Sequence, residues 1–160
     1  MKVAIIGATG FVGAALVNEF SHRGHRATAI SRHPKQTQPE GVTAVKADIF
    51  DTDDLAKILE GHDVVISAYN PGWTNPDIYV DYLKGAESIQ KAVKKAGVSR
   101  FIVIGGAGSL YVAPGLQLID TPKFPEDFKP GANAVRKYLK TLQDEKELDW
   151  VFFSPAIEMH

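Results

Sequence analysis

The sequence predicts an α/β fold in which helices cover both faces of a parallel β-sheet. Short apolar runs rich in β-branched residues alternate with longer segments of helical periodicity, which is the pattern of repeated strand–helix–strand units. The first run, Lys2–Ile6, is apolar after its lysine, as expected for a strand that is buried on both faces. A glycine-rich turn then leads directly into a helical segment that begins at Phe11.

Composition predicts a single globular domain over residues 1–160. A chain of 160 residues with 44% hydrophobic residues is long and apolar enough for one α/β core. Its net charge of −1, with mixed signs, gives no basic surface for nucleic acid and no polybasic membrane patch. It has no cysteine, so disulfides, thiol catalysis and thiolate metal sites are excluded, and we predict no metal site. Without a signal-peptide pattern or a membrane-length apolar run, we expect a cytoplasmic protein.

The turn after the first strand carries glycine at three positions that dinucleotide chemistry requires. Gly7 permits the tight turn, Gly10 lets a pyrophosphate approach the backbone, and Gly13 lets the helix touch the strand. The helix N-terminus would then face the phosphates with N–H groups and the positive end of its dipole. This context predicts a Rossmann-like doubly wound sheet of order 3-2-1-4-5-6 and disfavours the alternative of a turn without a ligand. The expected cofactor-binding residues of this turn are Gly7, Thr9, Gly10, Phe11, Val12 and Gly13.

The second strand is predicted at His25–Ser31, after Gly24 ends the first helix. In NAD-binding units a carboxylate about 20 residues after the glycines binds the ribose 2′-hydroxyl, but Ser31 and Arg32 occupy that position here. A guanidinium can bind a 2′-phosphate through paired hydrogen bonds, and a serine hydroxyl adds a donor. We therefore expect NADP(H) rather than NAD(H); the alternative is that Arg32 belongs to a solvated loop.

The remaining elements continue the alternation of strands and helices. Strands are predicted at Val42–Lys46, Asp63–Ala68, Arg100–Ile104 and Asp149–Ser154. Helices are predicted from a cap at Asp51 or Thr52 to Gly61, at Ile78–Ala96 and at Gly131–Lys146.

The loop Tyr69–Tyr79 follows the fourth strand, where the strand order reverses and open parallel sheets bind their ligands. It is rich in proline, glycine and asparagine, yet it carries three aromatic residues. We expect Tyr69, Asn70 and Trp73 to bind a planar substrate. The alternative, in which the aromatics close the loop onto the core, fits the pattern equally well. Cofactor contacts are also expected at the end of this strand, from Ser67, Ala68 and Tyr69.

The GxxGxxG spacing of GATGFVG resembles the short-chain dehydrogenase/reductase superfamily, especially its extended and atypical branches. That resemblance implies that Asp48 and Ile49 adjoin adenine, although Asp48 could instead be an ordinary loop aspartate. Most members also carry a catalytic serine after the fifth strand and a Tyr-x-x-x-Lys pair. Here Ala107 lies closest to the serine position, Ser109 follows two residues later, and no Tyr-x-x-x-Lys pair follows.

Four further segments make the resemblance more specific: VIGGAGSL, VAPG, LIDTPKFP and LDWVFFSPAIE. They resemble the atypical branch labelled NADH-flavin reductase or NAD(P)H-binding protein, which is related to NmrA-like regulators and to biliverdin-IXβ/flavin reductases. The resemblance implies that Gly105, Gly106, Ser154 and Pro155 adjoin the cofactor and that Ser109 acts on the acceptor. Relatives continue for roughly 50 residues, so we expect a C-terminal part of the family fold to lie beyond this sequence; the alternative is a shortened member of the family. We do not assign His160 as a proton donor, because the histidine position of the biliverdin reductases falls at Ile157.

Two functions fit these observations. The first is NAD(P)H-dependent reduction of a planar conjugated acceptor, a flavin or quinone-like compound, because such a ring accepts hydride without a tyrosine–lysine pair. FMN or FAD would then be a substrate. The second is a non-enzymatic NADP(H) sensor of the NmrA type. A nucleotide-sugar epimerase or lyase is disfavoured because it normally keeps the pair. In either case we expect a monomer or homodimer with a small-molecule ligand and no nucleic-acid or membrane partner.

Overall fold

The computed structural model describes residues 1–157, and its central feature is a six-stranded parallel sheet. The described residues contain eight strands: β1 (Lys2–Ile6), β2 (Arg26–Ser31), β3 (Val42–Lys46), β4 (Val64–Ser67), β5 (Arg100–Ile104), β6 (Tyr111–Ala113), β7 (Leu116–Gln117) and β8 (Asp149–Phe153). The sheet has the order β3-β2-β1-β4-β5-β8, and every neighbouring pair is parallel. The predicted Rossmann-like order is confirmed, with β8 as its sixth strand.

Helices cover both faces of this sheet. They are α1 (Phe11–His22), α2 (Thr52–Leu59), α3 (Ile78–Ala96) and α4 (Lys129–Gln143). On one face Val17 of α1 packs against Val3 and Ile5 of β1. On the other face α2, α3 and α4 enclose the larger core, in which Ile89 and Tyr138 are almost fully buried. The alternation of side chains along each strand therefore supplies apolar residues to both layers, which explains the continuous apolar runs in the sequence.

Several boundaries differ from the sequence-based prediction. The last helix covers Lys129–Gln143 rather than Gly131–Lys146. It begins earlier because Pro130 lies in its first turn, where a backbone N–H is not needed. It ends earlier because Glu145 donates its N–H to Leu142 in a tightened last turn. At strand ends the differences are single residues, as is usual: His25, Asp63, Ala68 and Ser154 lie outside the strands.

The hairpin of β6 and β7 was not predicted. Its turn contains Pro114 and Gly115, and Gly115 has a φ of +73°, the conformation that a proline–glycine turn requires at its second central residue. The strands have only three and two residues and are largely exposed, so apolar periodicity could not indicate them. The proline–glycine pair was the available signal.

The α2 cap is Asp51, whose carboxylate accepts the Asp54 N–H at 3.1 Å, so Thr52 is not the cap. Within residues 1–157, no helix is long and apolar enough to cross a membrane. The same residues contain no group of three or more potential metal ligands. His160 lies outside the described residues.

Candidate active site

A crevice with a volume of about 500 Å³ opens at the carboxyl ends of β1, β2 and β4. It lies where the strand order reverses, the position at which open parallel sheets bind ligands. The turn between β1 and α1 forms its floor, and the loops after β2, β3 and β4 form its walls. The predicted site residues that line it are Gly7, Thr9, Gly10, Phe11, Val12, Ser31, Arg32, Asp48, Ile49, Ala68, Tyr69, Asn70, Trp73 and Gly105.

Glycine occupies three positions of the β1–α1 turn, each for a different physical reason. Gly7 has a φ of +79°, and a Cβ there would lie 2.7 Å from the carbonyl oxygen of Ala68. A Cβ on Gly13 would lie 2.0 Å from the carbonyl oxygen of Gly7, so only glycine lets α1 approach the turn. A Cβ on Gly10 would meet the protein no closer than 3.4 Å, and its φ of −75° is open to any residue. The fold thus requires Gly7 and Gly13, whereas the bare surface at Gly10 faces the crevice.

The N-terminus of α1 forms an anion-binding surface on this floor. Gly10 is the N-cap and provides no side chain to the first-turn N–H groups, and this first turn carries no acidic residue. Phe11 and Val12, the first two helical residues, line the crevice. Uncapped N–H groups and the positive end of a helix dipole favour a phosphate at this position. The cradle therefore fits the pyrophosphate of a dinucleotide.

The loop after β3 forms the wall expected for adenine. One carboxylate oxygen of Asp48 accepts the Phe50 N–H at 2.9 Å, which holds the side chain at the crevice rim. Its second oxygen can accept a hydrogen bond from an amino group. Ile49 is 8% exposed, and its carbonyl accepts the Ser88 hydroxyl, which anchors this loop to α3. Asp48 and Ile49 therefore present an acceptor and an apolar surface side by side.

A second hollow, of about 320 Å³, adjoins the end of β2. Thr9 and Ser31 line both this hollow and the crevice, so the two cavities meet there. Its other polar lining includes Lys35, Thr37 and Gln38. Among its described lining residues there is no carboxylate. Hydroxyl and ammonium donors without a carboxylate suit an anionic group beyond the ribose.

Tyr69 forms the wall opposite the glycine turn. Its hydroxyl donates to the carbonyl oxygen of Asp81 at 3.1 Å, and its ring stacks on Tyr82 with centroids 6.0 Å apart. Gly85 of α3 makes room for this ring, because a Cβ there would lie 2.4 Å from the Tyr69 Cε1 atom. Burial, and then the charge of Asp81, raise the pKa of Tyr69 to about 12. Tyr69 is therefore a neutral part of the wall, and its hydroxyl proton is already engaged by the Asp81 carbonyl.

Trp73 extends this wall toward α4. Its side chain is 52% exposed, and its ring meets Phe128 edge-on with centroids 5.2 Å apart. The ring also packs above Gly131, where an added Cβ would lie 2.8 Å away. The aromatic residues of this loop therefore divide between the two alternatives. Tyr69 packs on the core, and Trp73 presents an open face at the crevice.

Six predicted site residues do not line the crevice: Gly13, Ser67, Gly106, Ser109, Ser154 and Pro155. Gly13 lies beneath the turn. Ser109 is 9% exposed in a 3₁₀ turn at Ala107–Ser109, and its carbonyl accepts the Gln117 side-chain N–H at 2.9 Å. That turn packs on α4, since a Cβ on Gly108 would lie 3.3 Å from the Ala132 Cβ atom. The structure does not bring Ser109 to the wall formed by Tyr69 and Trp73. Its catalytic role stays a prediction.

The sequence matches the NAD(P)H-binding family over residues 7–158. The chain belongs to this family. The family assignment made from the glycine turn and the four later segments is thereby confirmed.

Relatives with solved structures share the whole described fold. A "putative epimerase" from Bacteroides thetaiotaomicron is 47% identical with a TM-score of 0.89, and the match covers 98% of this chain and 71% of that one. A "putative NADH-flavin reductase" from Streptococcus pneumoniae is 41% identical with a TM-score of 0.82, over 99% and 73% of the two chains. The uncharacterised protein YwnB of Bacillus subtilis is 35% identical over 98% of this chain and 72% of its own length. The NAD(P)H-binding family match and the similarity to the "putative NADH-flavin reductase" support an NAD(P)H oxidoreductase-like role.

Two polar residues of the crevice were not predicted as site residues from the sequence. Asn75 and Asp81 line the crevice, and the Asn75 amide donates to the Asp81 carboxylate at 2.8 Å. Asn75 also accepts the Asp77 N–H at 2.9 Å, which fixes the loop before α3. The asparagine followed by proline signalled a turn, but its pairing with Asp81 depends on how α3 is placed.

Proposed function

We propose that this protein is an NAD(P)H-dependent reductase of a planar conjugated acceptor, a flavin or quinone-like compound. The proposal rests on one observation: a single crevice contains both the uncapped N-terminus of α1 at Gly10 and an aromatic wall formed by Tyr69 and Trp73. The first suits a dinucleotide, and the second suits a flat ring beside it.

The residues of the crevice support hydride transfer without a protein proton donor. Tyr69 directs its hydroxyl to Asp81, and Ser109 lies away from the crevice. Tyr138 is 1% exposed in the core and donates to the Gln90 side chain at 2.9 Å, so it cannot reach a substrate. A simple ketone or a nucleotide sugar needs such a donor at the moment of transfer. A conjugated ring delocalises the added charge, and solvent can supply the proton.

The cofactor supplies the hydride. With FMN as acceptor the balance is NADPH + H⁺ + FMN → NADP⁺ + FMNH₂, in which the single proton comes from solvent. The protein holds the phosphates over α1, binds adenine beside Asp48 and keeps the two rings in contact, which is the positioning that such a reaction needs.

We further propose that NADPH is preferred over NADH. Arg32 lines the crevice, and the hollow on the other side of Ser31 adds Thr9 and Lys35. These donors suit a 2′-phosphate, and none of the described residues lining that hollow is a carboxylate that would bind the 2′-hydroxyl of NADH.

The test is oxidation of NADPH and of NADH with FMN, riboflavin or a small quinone, beside a binding titration of each nucleotide. Acceptor-dependent turnover with a lower KM for NADPH supports the proposal. Tight NADPH binding without turnover on any acceptor would replace it with the nucleotide-sensor alternative. Arg32→Glu should weaken NADPH by roughly 10- to 100-fold, the equivalent of about 1.5 to 3 kcal/mol for a charge-assisted hydrogen bond, and spare NADH.

Arg26→Glu provides the matched control for this variant. It makes the same charge change at the opposite, exposed end of β2. It should leave both nucleotide affinities unchanged. If Arg32→Glu weakened NADPH and NADH equally, the 2′-phosphate assignment would be wrong.

A further inference from the structure

A third cavity lies outside the crevice, in the groove between the first turn of α3 and the outer face of α4. Its volume is about 450 Å³. It is lined by Tyr79, Pro130, Asn133, Arg136, Lys137 and Lys140. The four polar residues of α4 recur at intervals of three and four, so they form one stripe on the helix.

The groove is strongly cationic. Arg136, Lys137 and Lys140 contribute three positive charges, and the residues lining the groove include no acid within the described chain. Asp120, outside the lining, accepts from Arg136 at 2.8 Å and neutralises one of these charges. The groove therefore keeps a net charge of about +2.

Arg136 is held in place before any ligand arrives. Its guanidinium donates to the side-chain oxygen of Asn133 at 2.7 Å and to the side-chain oxygen of Gln117 at 3.1 Å. The bond to Asp120 is a third restraint on the same group. Its side chain is 25% exposed. Lys137 and Lys140, by contrast, are exposed and mobile enough to close on an anion. One fixed donor group with two adaptable ammonium groups is a suitable arrangement for a phosphate monoester.

The groove begins where the crevice wall ends. Trp73, the aromatic wall, packs on Gly131, and the neighbouring Pro130 lines the groove. The loop that carries Trp73 ends at Asp77, the N-cap of α3. Tyr79, two residues later, lines the groove. A ring lying on the open face of Trp73 thus has a short path for a flexible tail over Pro130 toward the lysines of α4.

We propose that this groove binds the phosphate of the acceptor, so that the substrate class is a planar ring bearing a phosphorylated side chain. The inference rests on the proposed reductase function. A phosphorylated flavin such as FMN fits both parts, its ring on Trp73 and its phosphate among Arg136, Lys137 and Lys140. Riboflavin has the same ring and lacks the phosphate.

The experiment compares FMN with riboflavin in the wild type and in the double variant Lys137→Glu/Lys140→Glu. Both lysines are exposed, so the variant should fold normally. In the wild type we expect a KM for FMN roughly 10-fold below that for riboflavin. In the variant the KM for FMN should rise by about 10-fold, while the KM for riboflavin and both kcat values stay within about twofold. Inorganic phosphate should compete with FMN in the wild type and not with riboflavin.

The control is Lys57→Glu/Lys91→Glu, which makes the same change of net charge at exposed positions of α2 and α3. It should leave the preference for FMN intact. Equal KM values for the two flavins in the wild type would overturn the groove assignment. So would an equal rise in KM for both flavins in Lys137→Glu/Lys140→Glu, or a rise in the KM for FMN in the control variant.

Failure of the reductase proposal is distinguishable from failure of the groove proposal. If neither flavin nor a small quinone is reduced, the reductase function is wrong, and the groove is then judged by flavin-fluorescence titration of FMN and riboflavin on the NADP⁺-loaded protein. Tighter binding of FMN that the double variant abolishes would uphold the groove; equal binding of the two flavins would refute it.

Discussion

Replacement of Gly10 by alanine separates the cofactor role of the glycine turn from its structural role. The added Cβ would meet the Gly7 carbonyl oxygen at 3.4 Å, an ordinary van der Waals contact, and Gly10 has a φ of −75°. The backbone therefore accepts alanine without strain. The methyl group would instead occupy crevice space over the N-terminus of α1, where we place the pyrophosphate.

The expected magnitudes differ strongly for folding and for binding. Alanine is a poorer N-cap than glycine by roughly 0.5 to 1 kcal/mol, but it lowers the entropy of the unfolded chain by about 0.4 to 1 kcal/mol. These effects offset each other, so the free energy of unfolding should change by less than about 1 kcal/mol. Displacing a phosphate from the helix N-terminus removes a charge-assisted hydrogen bond worth roughly 1.5 to 3 kcal/mol. Binding of NADPH and of NADH should weaken about 10- to 100-fold.

The assay is urea unfolding beside calorimetric titration of both nucleotides. Gly13→Ala is the contrasting variant, because its Cβ would lie 2.0 Å from the Gly7 carbonyl oxygen. It should lower the free energy of unfolding by roughly 2 kcal/mol or more. Gly24→Ala, at a φ of +76° with open space around it, should cost about 1 kcal/mol without affecting binding. Wild-type affinity in Gly10→Ala would refute our placement of the pyrophosphate.

Three further predictions concern the supports of the site and the core. Gly85→Ala should displace the Tyr69 ring into the crevice, since the Cβ would lie 2.4 Å from its Cε1 atom, and weaken NADPH binding about 10-fold in the same titration. Burial lowers the pKa of His62, which is 8% exposed. The stabilisation by the neutral ring is therefore present above the unfolded pKa of about 6.5 and is lost as the pH falls below it. His62→Gln should reduce the change in the free energy of unfolding between about pH 7 and 5, measured by urea titration. Burial opposes ionisation of Glu145, but hydrogen bonds from Gln90, the Glu147 N–H and Lys94 outweigh it and lower its pKa to about 2. The stabilisation by this carboxylate is present above its unfolded pKa and disappears as the pH falls toward 2, so Glu145→Gln should reduce the loss of stability measured between about pH 5 and 2.

Each of these predictions has an outcome that contradicts it. Unchanged NADPH affinity in Gly85→Ala would show that Tyr69 can move without narrowing the crevice. An unaltered pH slope in His62→Gln would mean that the hydrogen bond between the His62 ring and the Thr28 hydroxyl, 2.8 Å long, persists when the ring is protonated. An acid transition of Glu145→Gln identical to that of the wild type would assign the acid sensitivity to other carboxylates.

The fold and the cofactor half of the site could be predicted because their signals are local. A strand, a glycine turn and a helix follow one another within residues 2–22, and the turn chemistry acts on neighbouring backbone. The strand order then follows from right-handed crossovers between parallel strands. Arg32 and Asp48 were predicted for the same reason, since each lies within two residues of the end of a strand, and both line the crevice.

Tyr69, Asn70 and Trp73 were predicted as site residues, but the geometry of this wall could not be predicted, because its residues meet only across elements. The sequence marks Tyr69 and Trp73 as loop aromatics, but Gly85 of α3 decides that Tyr69 lies flat, and Gly131 of α4 decides where Trp73 rests. Ser109 lies two residues beyond the position closest to the catalytic serine of the superfamily, and packing of its turn on α4 keeps it out of the crevice.

The sequence by itself determined that this chain folds as a parallel sheet of order β3-β2-β1-β4-β5-β8 with a dinucleotide cradle, because hydrophobic periodicity and glycine positions act over a few residues. Only the tertiary structure determined how the side chains of the aromatic wall are placed in the crevice. It also joined α3 and α4, far apart in the chain, into the cationic groove beside Trp73. Side-chain positions depend on the packing of distant helices, and no local pattern encodes that packing.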